Sequence, residues 1–266
     1  MPKQLWRLCR VKKNLLLVDI GNTSAAIAIV KKNKIVLHAS IETRLSKPLF
    51  KKTFLTAITK AKKKYKKLDQ SIVCSVVPKM SILVTAILKK ELCQAPLIVG
   101  KSLKVPIKNC YQRPRQVGQD RLICGYAARE LYGCPAIVID LGTAITVDIV
   151  SCQGGYRGGI IVPGIHLTAQ SLFRNTALLP NVKIARPKSL IGRTTNESIL
   201  SGIFHGYGAL LDGLILRISK ELKKKPRIIL TGGHAKLMKK FLHKKVDAID
   251  DKIVFKGMLL TFRSKL

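Results

Sequence analysis

Two stretches of the chain share one pattern of apolar and polar positions. Leu15-Leu16-Leu17-Val18 is an unbroken apolar run. It meets Asp19, Ile20, Gly21 and the polar pair Asn22-Thr23, and a second apolar run follows from Ala25 to Val30. Ile137-Val138-Ile139 leads in the same way through Asp140, Leu141, Gly142 and Thr143 into the alternating segment Ala144 to Val150. An apolar run, a tight glycine-bearing turn and a second apolar run predict two antiparallel strands joined by a short loop. The two aspartates lie 140 − 19 = 121 residues apart, about the length of one domain. The pattern therefore predicts two similar halves facing a shared cleft.

The remaining periodicities fill in those halves. Lys34 to Ile41 alternates and predicts a third strand. Phe54, Leu55, Ile58 and Ala61 recur at helical spacing within Thr53 to Lys67, with lysines opposite. Ser71 to Val77 reads as a buried strand closed by Pro78, Ser81 to Leu92 as a helix and Pro96 to Val99 as a strand. This order suits a mixed sheet with helices on its faces. Residues 101–120 lack periodicity and carry Tyr111, Arg113 and Arg115, the character of a binding loop. A helix then runs through about Leu131, placing Asp120 and Arg121 at its N-terminus, where anions are favoured. Five glycines punctuate residues 154–164, with a turn at Gly154-Gly155 and close approaches at Gly158-Gly159 and Pro163-Gly164. Helices are predicted over Ile165 to Phe173, Thr194 to Ile218 and Ala235 to Leu242, with a proline-bearing connection over 174–193. The small residues Ser201, Gly202, Gly206, Gly208 and Ala209 of the long helix permit close packing, across a dimer interface or around an active site. A strand, Arg227 to Thr231, ends in Gly232-Gly233-His234, and Ile253 to Phe262 is a final apolar segment.

Composition narrows the function classes. At 266 residues and 47% hydrophobic content the chain can build a real core. Each apolar stretch of transmembrane length is broken by charge, so no membrane helix is expected. The basic start, residues 1–14, lacks a signal peptide's apolar core and reads as an extension before the first strand, with an amphipathic targeting segment as the alternative. Seven cysteines without a C-x-x-C pair fit reduced cytoplasmic thiols rather than disulfides or zinc. The formal charge of +35 invites a nucleic-acid reading. The lysine runs, however, lack interleaved aromatics and a recognition motif, so weak, unspecific adhesion to polyanions is expected and no specific nucleic-acid partner.

The loops carry the chemistry. Gly142 leaves room for a ligand to approach main-chain N–H groups, and Thr143 and Thr146 supply hydroxyls. Asp140 and Asp148 place negative charge that is tolerable beside phosphate mainly with a cation between. With the Thr231-Gly232-Gly233 turn, the two Asp loops resemble the phosphate and adenosine loops of the acetate kinase, sugar kinase, actin and heat-shock ATPase superfamily. Six motifs in order resemble the type III pantothenate kinase family: Asp19-Ile20-Gly21-Asn22-Thr23, Ser75-Val76-Val77-Pro78, Gly118-Gln119-Asp120-Arg121, Asp140-Leu141-Gly142-Thr143-Ala144, Gly158 to Gly164, and Thr231-Gly232-Gly233.

The resemblance implies an α/β fold of two ribonuclease-H-like, actin-like ATPase domains, mixed sheets flanked by helices with a cleft between them. The halves would be residues 15–117 and 118–266. It implies ATP-dependent phosphorylation of pantothenate, the first step of coenzyme A synthesis, by a cytoplasmic homodimer using a divalent metal such as Mg2+ with ATP and a monovalent cation, K+ or NH4+. Carried over by motif, Asp19, Ile20, Gly21, Asn22, Thr23, Ser24, Ala25 and Ala26 would hold the ATP phosphates, with Asp19 orienting hydrated Mg2+. Thr143 would also contact ATP, and Asp140 would ligate the monovalent cation. Asp120 would be the general base and Arg121 would bind the pantothenate carboxylate, with Tyr111, Gly118, Gln119 and Thr195 also at the substrate.

Plainer roles stand beside these: turn-forming aspartates at 19 and 140, a helix cap at Asp120, a surface arginine at 121, a packed tyrosine at 111 and an N-cap threonine at 194 or 195. Gln119 departs from the alanine usual in that motif and would crowd the site or face solvent. A non-enzymatic transcription accessory factor of the same fold, or another small-hydroxyl kinase of the superfamily, are the alternative functions.

Overall fold

The computed structural model describes residues 14–265, so the basic extension expected at residues 1–14 falls outside it but for Asn14. The chain divides into two compact units: the described residues up to Leu131 together with those from Lys252 onward, and Tyr132–Asp251.

In the first unit β1 (Leu15–Ile20), β2 (Ser24–Lys31) and β3 (Lys34–Glu42) form the expected antiparallel meander. β4 (Gln70–Ser75) then pairs parallel to β1, and β5 (Leu97–Ile98) parallel to β4, giving the order β3-β2-β1-β4-β5. Successive strand residues point to opposite faces. Leu16, Val18 and Ile20 join one apolar cluster with Phe50, Phe54 and Ile58 of helix α1 (Lys47–Tyr65) and Val84 and Leu88 of α2 (Pro78–Leu92). Leu15 and Leu17 join another with Ile123 of α3 (Gln119–Tyr132). Both faces of β1 are covered, which is why its sequence is continuously apolar rather than alternating. Asp19 shares the parity of Leu15 and Leu17 and lies on the α3 face. Pro78, expected to close a strand, starts α2 instead. Its missing N–H costs nothing at a helix N-terminus.

The expected boundary between 117 and 118, and an unbroken second half to residue 266, do not match this division. The last helix, α7 (Ile253–Arg263), buries Phe255, Met258, Leu259 and Phe262 in the cluster of Leu15, Leu17 and Ile123. Gly257 is the point of closest approach. A Cβ there would lie 2.5 Å from Ile123 Cγ2 and 2.6 Å from its carbonyl oxygen. Arg263 also donates to Asn33 Oδ1 at 2.7 Å. The pattern shows that α7 needs an apolar sheet face, but not which sheet supplies it.

The second unit repeats the topology. β6 (Ala136–Leu141) pairs antiparallel with β7 (Ala144–Val150) and parallel with β9 (Arg227–Thr231). β8 (Tyr156–Pro163) and β10 (Ala248–Ile249) complete the order β10-β9-β6-β7-β8. Read from the other edge, this is β3-β2-β1-β4-β5 strand for strand. The five-glycine stretch is thus largely an edge strand, with its register shift beside Val150. Ile137, Ile139, Leu141 and Ile145 pack against α4 (Ile165–Arg174) and α5 (Thr195–Leu222). By length and composition α5 is apolar enough to cross a membrane, contrary to the expectation that no helix would be. Its apolar side includes Ile199, Ile203, Phe204, Leu211 and Ile215, all buried in this unit's core. A short helix, α6 (Ala235–Met238), follows β9. All six described cysteines are free.

Candidate functional site

In the first unit the β1–β2 turn is closed by Gly21 N–H donating to the Ser24 carbonyl at 2.9 Å. Thr43, which the sequence did not single out, braces the same turn. Its N–H donates to the Thr23 carbonyl at 2.9 Å and its Oγ1 to the Asn22 carbonyl at 2.8 Å. Val76 N–H reaches the Ile20 carbonyl at 3.1 Å, tying the Ser75-Val76-Val77 motif to the end of β1. Ser75 accepts from Val77 N–H at 3.1 Å and so shapes the entry to α2.

Asp19 is the register partner of Cys74 on β4. The Cys74 thiol is fully buried and held well above its ordinary value of 9.0, first by burial and then by the charges of Asp19 and Asp120. Two carboxylates 101 residues apart (120 − 19) therefore act on one buried sulfur, the floor of the site in this unit. Asp120 sits on the first turn of α3, where its Oδ1 accepts Arg121 N–H at 2.8 Å, so it does serve its own helix end. Gly118 accepts from Arg121 and Leu122 N–H at 3.2 and 3.3 Å. Any Cβ on Gly118 would collide with Asp120 Oδ1, so glycine there lets the carboxylate fold back over the chain.

Gln119 neither crowds this loop nor simply faces solvent. It lies half-buried against Gly100, whose φ is +80°, and a Cβ on Gly100 would come within 2.6 Å of Gln119 Oε1. Arg121 and Tyr111 are half-buried, and Tyr111 N–H donates to Asn109 Oδ1 at 3.1 Å.

In the second unit two segments far apart in sequence grip the Asp140–Thr143 loop. Gly164 N–H donates to the Thr143 carbonyl at 3.1 Å, and a Cβ on Gly164 would press into that oxygen and reach within 2.5 Å of the Gly142 oxygen. Gly232, with φ +89°, packs on Asp140 Oδ1 and on the Leu141 backbone, where a Cβ would lie 2.6 Å from the carbonyl carbon. His234 N–H donates to the Leu141 carbonyl at 3.3 Å. Tyr207, also unforeseen, donates to the Pro163 carbonyl at 2.6 Å and meets Thr168 Oγ1 at 2.6 Å, fixing the approach to Gly164 from α5. No sequence signal links Tyr207 to Pro163, because the helix turn that brings them together is a tertiary choice.

Asp148 does not belong to this loop. It is buried on β7, opposite Val138, and accepts from Tyr156 Oη at 2.8 Å and Thr146 Oγ1 at 2.9 Å. Its charge and the Thr146 hydroxyl are used inside the fold, not on phosphate. At the start of α5 the capping residue is Thr194, which accepts Glu197 N–H at 3.2 Å. Thr195 is thereby not the cap. It lines a groove of about 450 Å3 with Thr168, Gly202, Tyr207 and Leu210. Among the described residues no cluster of three or more His, Cys, Asp or Glu is placed to hold a metal ion.

The family model for type III pantothenate kinase matches residues 15–217. The chain is 33% identical to the type III pantothenate kinase of Halalkalibacterium halodurans, over 95% of this chain and 100% of that one. It is 40% identical to that of Persephonella marina, over 89% and 93%. Among solved structures, a conserved putative Baf family transcriptional activator from Campylobacter jejuni aligns with a TM-score of 0.60 at 21% identity, covering 94% of this chain and 98% of that one. The activator of the 2-hydroxyisocaproyl-CoA dehydratase from Clostridium difficile, with bound ADPNP, aligns at 0.51 and 13% identity, covering 95% and 96%. At these identities the two structures speak for the fold alone.

Proposed function

The chain belongs to the type III pantothenate kinase family, and we propose that it phosphorylates pantothenate through the residues described above. Phosphoryl transfer asks a protein for position and charge stabilisation more than for covalent chemistry. The single observation that carries this reading is the family match across residues 15–217; within it, Asp19 is the strand partner of Cys74, and the charges of Asp19 and Asp120 both bear on that buried thiol. One carboxylate ends a phosphate-type loop and the other opens a helix with an arginine beside it. Asp120 takes the proton of the substrate's primary hydroxyl as it attacks the γ-phosphate of ATP. Arg121 binds the pantothenate carboxylate, which a guanidinium can engage with two hydrogen bonds. Gly118, Gln119 and Tyr111 complete the substrate contacts of the first unit, and Thr195 is the substrate contact of the second.

In the first unit the turn from Asp19 to Ala26 receives ATP phosphates; in the second, the Thr143 hydroxyl is an ATP contact. Mg2+ typically keeps several waters and binds through one or two carboxylates plus substrate phosphates, a part that Asp19 would fill. When bound, it offsets the phosphate charge. Asp140 ligates a monovalent cation, K+ or NH4+. The apolar groove along α5, with Leu210 exposed beside it, supports a homodimer. The free thiols support a cytoplasmic setting.

The test is a coupled ADP-release assay with pantothenate against sugars, acetate and glycerol. Turnover with pantothenate alone is expected. Preference for another acceptor would reassign the chain within the kinases, and no ADP release with any acceptor would favour a non-enzymatic role.

A further inference from the structure

His166 and His234 come from segments 68 residues apart (234 − 166), the first turn of α4 and the turn after β9, yet their rings lie 5.0 Å apart between centroids, tilted by 48°. His234 holds the Leu141 carbonyl through its backbone N–H, but neither imidazole ring has a part in the constellation above. We propose that this pair is a binding site for a borderline transition-metal ion of the Ni2+, Cu2+ or Zn2+ class, with water filling the remaining positions.

The geometry carries the proposal. An ion bonded about 2.0–2.1 Å from one nitrogen of each imidazole, at a cis or tetrahedral angle, holds the two ring centres roughly 4.5–5.3 Å apart. The observed separation falls inside that span without any backbone movement. The donor set selects the metal: imidazole suits Zn, Cu and Ni, whereas Mg2+ demands oxygen ligands. The site therefore does not compete for the Mg2+ that travels with ATP.

One of the two ligands is also biased toward the neutral form a metal needs. Burial lowers the His234 pKa below its ordinary 6.5, and the neighbouring His166 lowers it further. Access is open, since His166 is exposed and His234 half-buried. An ion here would clip the start of α4 to the β9–α6 turn, the two segments that grip the Asp140–Thr143 loop through Gly164 and Gly232.

The experiment uses the full chain without nucleotide, titrated calorimetrically with NiCl2 in 10 mM MgCl2, as wild type, His166→Gln, His234→Gln and the double variant. Wild type is expected to show one micromolar site per chain. Each single variant should lose affinity roughly tenfold or more, and the double variant should lose the site. Bound Cu2+ should show nitrogen couplings from two imidazoles in wild type and from at most one in either single variant. Nickel should raise the melting temperature of wild type only. The three other histidines and the exposed Cys93 and Cys110 remain in every variant, so their background binding cancels in the comparison. Identical Ni2+ isotherms for wild type and double variant overturn the proposal. If His234→Gln disturbs the fold, the exposed His166→Gln decides by the same criterion.

Discussion

Gly164→Ala gives the sharpest test of how the second unit holds its Asp140–Thr143 loop. The backbone at Gly164 has φ −75° and ψ 165°, which alanine adopts without strain, so any effect is steric. The added Cβ would lie 2.5 Å from the Gly142 oxygen and 2.7 Å from the Thr143 carbonyl carbon, and closer still to the Thr143 oxygen. Real Cβ contacts essentially never fall under 3.0 Å, so the loop must retreat by at least 3.0 − 2.5 = 0.5 Å. The obstacles are backbone atoms, which cannot swing aside as a side-chain tip can. The Gly164 N–H bond to Thr143 at 3.1 Å is stretched in the same movement.

Overpacking of this kind costs roughly 1–3 kcal/mol, while alanine's stiffer unfolded chain returns about 0.4–1 kcal/mol. The melting temperature should fall by only a few degrees, at roughly 2–4 °C per kcal/mol for a chain of this size. Catalysis should suffer more, since a misplacement near 1 Å costs roughly 10²-fold. The coupled ADP-release assay should show the KM for ATP raised and turnover lowered, with the KM for pantothenate little changed. Gly213→Ala on α5 is the control, because a Cβ there meets nothing within 4 Å. A Gly164→Ala enzyme with wild-type KM for ATP, turnover and melting temperature would refute the argument that this glycine shapes the loop.

Three further outcomes are expected. Asp120→Asn keeps the acceptor that caps α3, so its melting temperature should stay near wild type while turnover falls roughly 10²–10⁴-fold; a folded variant with normal turnover would remove Asp120 as the base. Because the folded-state pKa of Cys74 is raised, its contribution to stability is fully present below pH 9.0 and is lost as pH climbs above that value. Urea midpoints should fall from about pH 9, and Cys74→Ala should delay the fall until Tyr126 and Tyr132, raised from 10.0, begin to contribute. Replacing potassium by sodium or a bulky organic cation should raise the KM for ATP, and equal kinetics in all three salts would take the cation from Asp140.

Much of the fold was legible because the information is local. The runs at Leu15 to Val30 and Ile137 to Val150 announce hairpins, and the duplicated Asp–Gly turns announce two related sheets, since a strand buried on both faces must be apolar throughout. The lysine-backed periodicity of α1 is equally local. The edge strands of the second sheet were not legible: β8 carries glycines and β10 is two residues long, so neither shows a period-2 signal strong enough to read. Nor was the destination of α7, whose apolar face would suit either sheet and is placed by the fit of Gly257 against Ile123.

The candidate site divides along the same line. The sequence by itself specified which residue types stand on which turns, from Asp19 and Gly118 to Asp140, Gly164 and Gly232, because the apolar runs and helix starts that flank each turn are local. Only the tertiary structure decided that Asp19 and Asp120 share the Cys74 floor, that Asp148 is spent on Tyr156 and Thr146, and that Tyr207 fixes Pro163. Those outcomes depend on which side chains meet across distant segments, and no periodicity along the chain encodes such a meeting.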